Sequence, residues 1–198
     1  MHALERELLS ASVRHLLMRR YEAPAALSFQ LPDGATVLEI GCGAGIGALL
    51  IQQRFTCSRL VALDIDPVMV ERTRRMLDDP PRWARDVDTG GIEVMVGDAT
   101  SLPFPDGSFD AVVQFFVLDH IPSWPKAIDE AYRVLKSGGT YAAEEALLPR
   151  WLGRFNDPTG HVPIDLPGYA SALREAGFSI LRLRHLGYLP FAFLEARK

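Results

Sequence analysis

The amino-acid sequence predicts an α/β fold: a doubly wound, seven-stranded, mostly parallel sheet with helices on both faces and a C-terminal antiparallel hairpin. Three observations lead there. The runs TVLEI (36–40), LVALD (60–64) and DAVVQFF (110–116) are almost continuously apolar, as strands buried on both faces must be. Each is followed, directly or after a short polar link, by apolar residues at helical spacing, and strand–helix alternation implies right-handed crossovers between parallel neighbours. The last two strand-like segments are separated only by Gly187–Tyr188–Leu189–Pro190, long enough for a hairpin and too short for a crossover.

The elements follow in chain order. Leu4, Leu8, Leu9, Val13, Leu16 and Leu17 repeat at helical spacing with arginines and glutamates on other faces, which predicts an amphipathic helix ending over Tyr21–Pro24. Strand 36–40 then leads into helix 45–54, and strand 60–64 into helix 67–77. Residues 78–91 (DDPPRWARDVDTGG) are polar and rich in Pro and Gly, so they read as a surface loop without chemistry before strand 92–97. Strand 110–116 precedes helix 124–135. Beyond Gly138–Gly139 come a strand at 140–147 and a Pro-rich irregular stretch from 148 to 163. Helix 166–176 closes at Gly177, a residue suited to a left-handed C′ position, and strands at 178–187 and 190–197 finish the sheet.

With 198 residues, 48% of them apolar, the chain suits a single domain, 1–198. Its parts are an N-terminal helical lid (1–30), a ligand-binding core (36–147), a variable insertion (148–163) and a closing helix and hairpin (164–198). A net charge of −4 and interspersed Lys, Arg, Asp and Glu leave no basic stripe, which argues against nucleic acid as a partner. Two cysteines, Cys42 and Cys57, are too few for a zinc site, so no metal is expected, and a reducing cytoplasm fits them. Glu5, Arg6, Glu7 and Arg14 interrupt the apolar N-terminal positions, so neither a leader core nor a stable membrane insertion is expected.

The chemistry begins at VLEIGCGAGIG, residues 37–47. A buried strand ending in a glycine-rich turn brings bare backbone against a nucleotide-like ligand, and the following helix offers unpaired N–H groups. On the loop alone two ligands compete. Gly43, Gly45 and Ala48 satisfy the GxGxxA variant of the dinucleotide fingerprint, and Asp64 lies about 20 residues on, so NAD and S-adenosylmethionine both remain.

VLEIGCGAGIG, LVALDIDPVMV, VMVGDATSLPFPDGSFDAVV and EAYRVLKSGG, taken together and in order, resemble the class I S-adenosylmethionine-dependent methyltransferases. Within them the chain looks like the small-molecule group that includes ubiquinone/menaquinone-type C-methyltransferases. The resemblance runs from about Thr36 to Lys198. It implies a Rossmann-like fold, S-adenosylmethionine as cofactor and S-adenosylhomocysteine as product. It also implies a cofactor site of Glu39, Gly41, Cys42, Gly43, Gly45, Asp64, Ile65, Asp98, Ala99, Gln114 and Phe115. Asp64 is suited to the ribose hydroxyls and Ile65 to one face of the adenine. Asp98 and the Ala99 N–H suit the adenine edge, although Asp98 also suits a plain turn in GDAT. Glu39 suits the loop or the methionine ammonium, and Phe115 or Phe116 the sulfonium, although both phenylalanines equally suit core packing.

Methyl transfer is an in-line displacement at an activated carbon, so positioning does much of the work and a base is needed only where the acceptor loses a proton. His120, Asp119 and His161 are the candidate catalytic residues, with Glu144 and Glu145 nearby in sequence, because His titrates near neutrality. QFFVLDHI stands where DNA and protein amide-nitrogen methyltransferases carry an Asn/Asp-Pro-Pro-aromatic motif, leaving a small, apolar or aromatic acceptor. Its pocket would be lidded by the N-terminal helix and the 148–163 insertion, with Trp124, Trp151 and Phe155 as candidate walls, although each tryptophan equally suits ordinary core or surface packing. The N-terminal helix suits a cofactor lid or a homodimer contact, while Glu5 and Glu7 weaken a resting place on a membrane surface. The alternatives are a non-catalytic S-adenosylmethionine-binding module and an NAD-dependent oxidoreductase.

Overall fold

A computed structural model describes residues 16, 18–146, 162, 164–185 and 191–198. The N-terminal amphipathic pattern up to residue 15, most of the insertion and the turn at 186–190 lie outside the described residues. In chain order the strands are β1 (Thr36–Ile40), β2 (Arg59–Asp64), β3 (Ile92–Val96), β4 (Phe109–Phe115), β5 (Leu135–Ala146), β6 (Ser179–His185) and β7 (Phe191–Arg197). The helices are α1 (Ala23–Ala26), α2 (Ile46–Phe55), α3 (Pro67–Asp78), α4 (Trp124–Val134) and α5 (Leu166–Ala176).

The seven strands form one sheet in the order β3-β2-β1-β4-β5-β7-β6. β3, β2, β1, β4 and β5 run parallel, and β7 pairs antiparallel with both β5 and β6. The expected Rossmann-like sheet is therefore present. Its strand order reverses between β1 and β4, which opens a crevice beyond their carboxyl ends, where open α/β sheets bind ligands.

Alternate residues of each strand feed two separate cores. On one face Leu38, Ile40, Val61, Val112 and Tyr141 meet Ile128 and Val134 of α4, Tyr169 and Leu173 of α5, and Phe178. On the other, Val37, Leu60, Ala62, Val113 and Ala142 meet Ile46 and Ile51 of α2 and a segment running from Met18 to Phe29. Trp124 packs edge-on against Tyr169, 6.3 Å between centroids, on the first of these faces.

Three expectations change in detail. Helical structure does not stop at Tyr21–Pro24: Met18–Glu22 forms a π-helical turn that runs on into α1. Pro24 stands in the first turn of α1, where its missing N–H costs no hydrogen bond. The 78–91 loop contains a 3₁₀ turn, Arg82–Ala84, whose Ala84 is fully buried, while Trp83 packs on the second core under the Arg19 guanidinium. β5 starts at Leu135 rather than near 140, because Phe109 already pairs with Leu135 before a register shift absorbs the Gly138–Gly139 corner.

Candidate active site

β1 delivers Glu39 and then turns sharply through the glycine loop into α2. The turn is tied to its neighbours at both sides. Gly41 and Cys42 donate their N–H groups to the Leu63 carbonyl at 2.7 and 3.0 Å, and the Gly43 N–H donates to Asp64 Oδ2 at 2.9 Å. From α3, the Thr73 hydroxyl donates to the Gly43 carbonyl at 2.9 Å. Thr73 is fully buried, and nothing in its Arg-rich sequence surroundings marked it as a support of the loop.

The glycines serve different ends. A Cβ on Gly43, whose φ is +54°, would meet no atom within 4 Å. A Cβ on Gly47 would run into Glu39 Oε1 and lie 3.1 Å from the Phe115 ring. Gly43 thus turns a bare backbone face to open space, while Gly47 lets α2 close down on a buried carboxylate.

Around the loop lies a cavity of about 620 Å³, within the range of small-molecule sites. Of the sequence-predicted residues, Glu39, Gly41, Cys42, Gly43, Asp64, Ile65, Asp98, Ala99, Phe115 and His120 line it. Gly45 stands behind it, as the left-handed residue before α2, against Thr73. Gln114 points to the opposite face of the sheet, where its amide donates to Glu145. His161, Trp151 and Phe155 lie outside the described residues.

The acids differ in their settings. Glu39 is 2% exposed and its Oε2 has no hydrogen-bond partner. Burial, with the nearby Asp64 charge adding to it, pushes its carboxyl up to about 8. Asp64 is raised as well, first by burial, although the N–H groups of Asp66 and Gly43 both hydrogen-bond to it and oppose the rise. Asp98 is exposed, and its Oδ1 accepts from both the N–H and the hydroxyl of Thr100 at 2.8 Å, which lowers its pKa. That is the turn role, and it engages Oδ1. Ile65, 68% exposed, holds an apolar side chain at the cavity mouth.

Beyond β4 the chain makes an unusual corner. Phe116 takes a left-handed φ of +54°, rare outside glycine, and donates its N–H to the Glu144 carbonyl at 2.7 Å. Strand alternation breaks there, so Phe115 and Phe116 both face the cavity. The following 3₁₀ turn, Leu118–His120, brings His120 to the wall, 3.9 Å from Asp119 Oδ1. Glu145, fully buried, accepts from the Leu118 N–H at 3.3 Å, and burial raises its pKa well above the usual carboxylate range. Met18, Ile121 and Ser123 complete the wall on this side. No periodicity or motif marked Met18 or Ile121, since each is an ordinary apolar residue until the fold brings it to the cavity.

Residues 38–143 match the model of a methyltransferase domain. Over 141 residues the chain is 32% identical to the sterol 24-C-methyltransferase of Pneumocystis carinii, covering 70% of this chain and 35% of that protein. It is 34% identical over 117 residues to the demethylmenaquinone methyltransferase of Symbiobacterium thermophilum, covering 59% of this chain and 44% of the other. The chain thus spans between about a third and a half of the length of these relatives. A SAM-dependent methyltransferase from Aquifex aeolicus superposes with a TM-score of 0.76, covering 99% of this chain and 98% of the other; at 19% identity this is a likeness of fold.

Proposed function

The chain belongs to the S-adenosylmethionine-dependent methyltransferase domain family, and from that membership we propose that it transfers a methyl group to a small, apolar or aromatic metabolite (EC 2.1.1.-). The observation that carries the reading is the cavity at the strand-order reversal, walled by Glu39, Gly43, Asp64, Ile65 and Asp98. These residues suit the cofactor. The unpartnered oxygen of Glu39 suits a cation, the open backbone at Gly43 permits close approach, and exposed Ile65 offers a seat to a flat ring.

S-adenosylmethionine, when bound, supplies a methyl group on positively charged sulfur. The chain's own tasks are to hold donor and acceptor in line and to keep water out. Asp64 would accept from the ribose hydroxyls with the lone pairs left by Gly43 and Asp66, and the free oxygen of Asp98 would accept from the adenine amino group. The rings of Phe115 and Phe116 would face the sulfonium, where an aromatic face attracts a cation. On the acceptor side His120, with Asp119 behind it, would take a proton from an acceptor that must lose one. Met18, Phe116 and Ile121 favour an apolar acceptor, in keeping with the sterol and quinone names of the relatives. Both cysteines are free and buried, which suits a reducing compartment.

Parallel calorimetric titrations with S-adenosylhomocysteine and NAD test the cofactor, and binding of NAD alone would sink the reading. Asp64→Asn is expected to weaken S-adenosylhomocysteine binding by roughly 1.5–3 kcal/mol, the range for a hydrogen bond to a charged group. Unchanged affinity would remove the ribose assignment. Transfer of labelled methyl to sterol or quinol acceptors tests the activity itself.

A further inference from the structure

Glu39 sits in the cavity wall in a setting that suits a neutral acid better than an ionised one. It is almost wholly buried, and its Oε2 has no partner. The surrounding elements bring no compensating charge to it among the described residues: β2 presents another carboxylate, Asp64, and the loop the Cys42 thiol. From α2 comes the Cα of Gly47, and from β4 the ring of Phe115. An ionised carboxylate left in such a place without a partner is costly, whereas one that meets a cation in hydrogen-bonding contact is not.

We propose that Glu39 holds a proton in the ligand-free protein and releases it to solvent when the cofactor's α-ammonium group arrives, so that binding exchanges one proton for one organic cation. This rests on S-adenosylmethionine being the cofactor. The exchange balances: the O–H bond of the Glu39 carboxyl breaks, its proton goes to buffer, and the resulting carboxylate accepts hydrogen bonds from the incoming ammonium. The charge of the Glu39 carboxylate is balanced before and after, first by the proton and then by the ammonium. Asp64 is the less suited proton carrier, because two backbone N–H groups donate to its oxygens and favour its ionised form. The direction of the Glu39 shift, upward to about 8, agrees with a proton held at neutral pH.

Calorimetry of the whole chain at about pH 6.5, in two buffers of different ionisation enthalpy, counts the protons. About one proton released per S-adenosylhomocysteine bound is expected, because that ligand keeps the ammonium, and none is expected for methylthioadenosine, which lacks the amino-acid end. Affinity for S-adenosylhomocysteine should rise by about tenfold per pH unit below about pH 7.5, and Glu39→Gln should flatten that rise. Binding of S-adenosylhomocysteine without proton release, or equal release with methylthioadenosine, overturns the exchange and leaves the methyltransferase reading standing. Failure of both S-adenosylmethionine and S-adenosylhomocysteine to bind overturns both. The comparison of the two ligands uses the unmodified protein and does not depend on how the variant folds.

Discussion

Gly47 is the residue at which packing and ligand binding are hardest to separate. Its missing Cβ is the space that Glu39 occupies, so Gly47→Ala must push the carboxylate aside or tilt α2 away from β1. The variant is expected to lose roughly tenfold or more in affinity for S-adenosylhomocysteine while keeping most of its helix content, with calorimetry and circular dichroism as the readouts. Near-normal affinity would mean that the position of Glu39 is not critical. The glycine run was legible as a ligand loop because glycines that follow a buried apolar strand leave its turn without side chains, where a ligand can approach the backbone. What was not legible is the division of labour, with Gly43 open to the cavity and Gly47 closed on protein. A one-dimensional pattern records that a side chain is missing and is silent about what fills the gap. Phe116 is a harder case, because its left-handed backbone is imposed by the bond to the Glu144 carbonyl and by packing distant in sequence.

Boundaries of elements were most legible where a single side chain enforces them. Asp66 accepts from the Val68 N–H at 2.9 Å ahead of Pro67, and Asp165 accepts from the Gly168 N–H at 2.8 Å ahead of α5. Both helices accordingly begin where Asp-Pro and Asp-Leu-Pro suggest. Asp165→Ala is expected to cost about 1 kcal/mol by chemical denaturation, and a loss near zero would show that α5 is held by its buried face alone. At the other end of α5, Gly177 has φ +106° and its absent Cβ would lie 2.8 Å from the Tyr132 ring, so that stop is enforced twice. β5 was less legible. Gly138 and Gly139 read as the end of a turn, whereas pairing with β4 carries the strand through them, an outcome decided by the neighbour's backbone rather than by local preference.

At the scale of the whole molecule, the parallel sheet and the closing hairpin followed from alternation and from the shortness of the link at 187–190, but the order of the last two strands did not. β7 takes the inner place beside β5, and β6 is the edge. The side chains rationalise this: β7 buries Ala192, Phe193, Leu194 and Ala196, while β6 carries the exposed Leu181 and Arg184, and its Arg182 reaches across to Glu195. Charge along a strand marks an edge, and that cue was available in the sequence. The two cores have a further consequence. Because the sheet stands between them like a bulkhead, damage on one side should not propagate to the other. Ile128 lies wholly inside the core built with α4 and α5, and Ile51 wholly inside the one built with α2. Each Ile→Val change should cost about 0.5–1.5 kcal/mol, and the double variant should cost their sum to within about 0.5 kcal/mol in urea titrations. A larger departure from the sum would mean that the sheet bends to share the load. Near-additivity would mean that either compartment can be altered, by drift or by design, without the change being transmitted through the sheet to the other, although each contributes residues to the cavity wall.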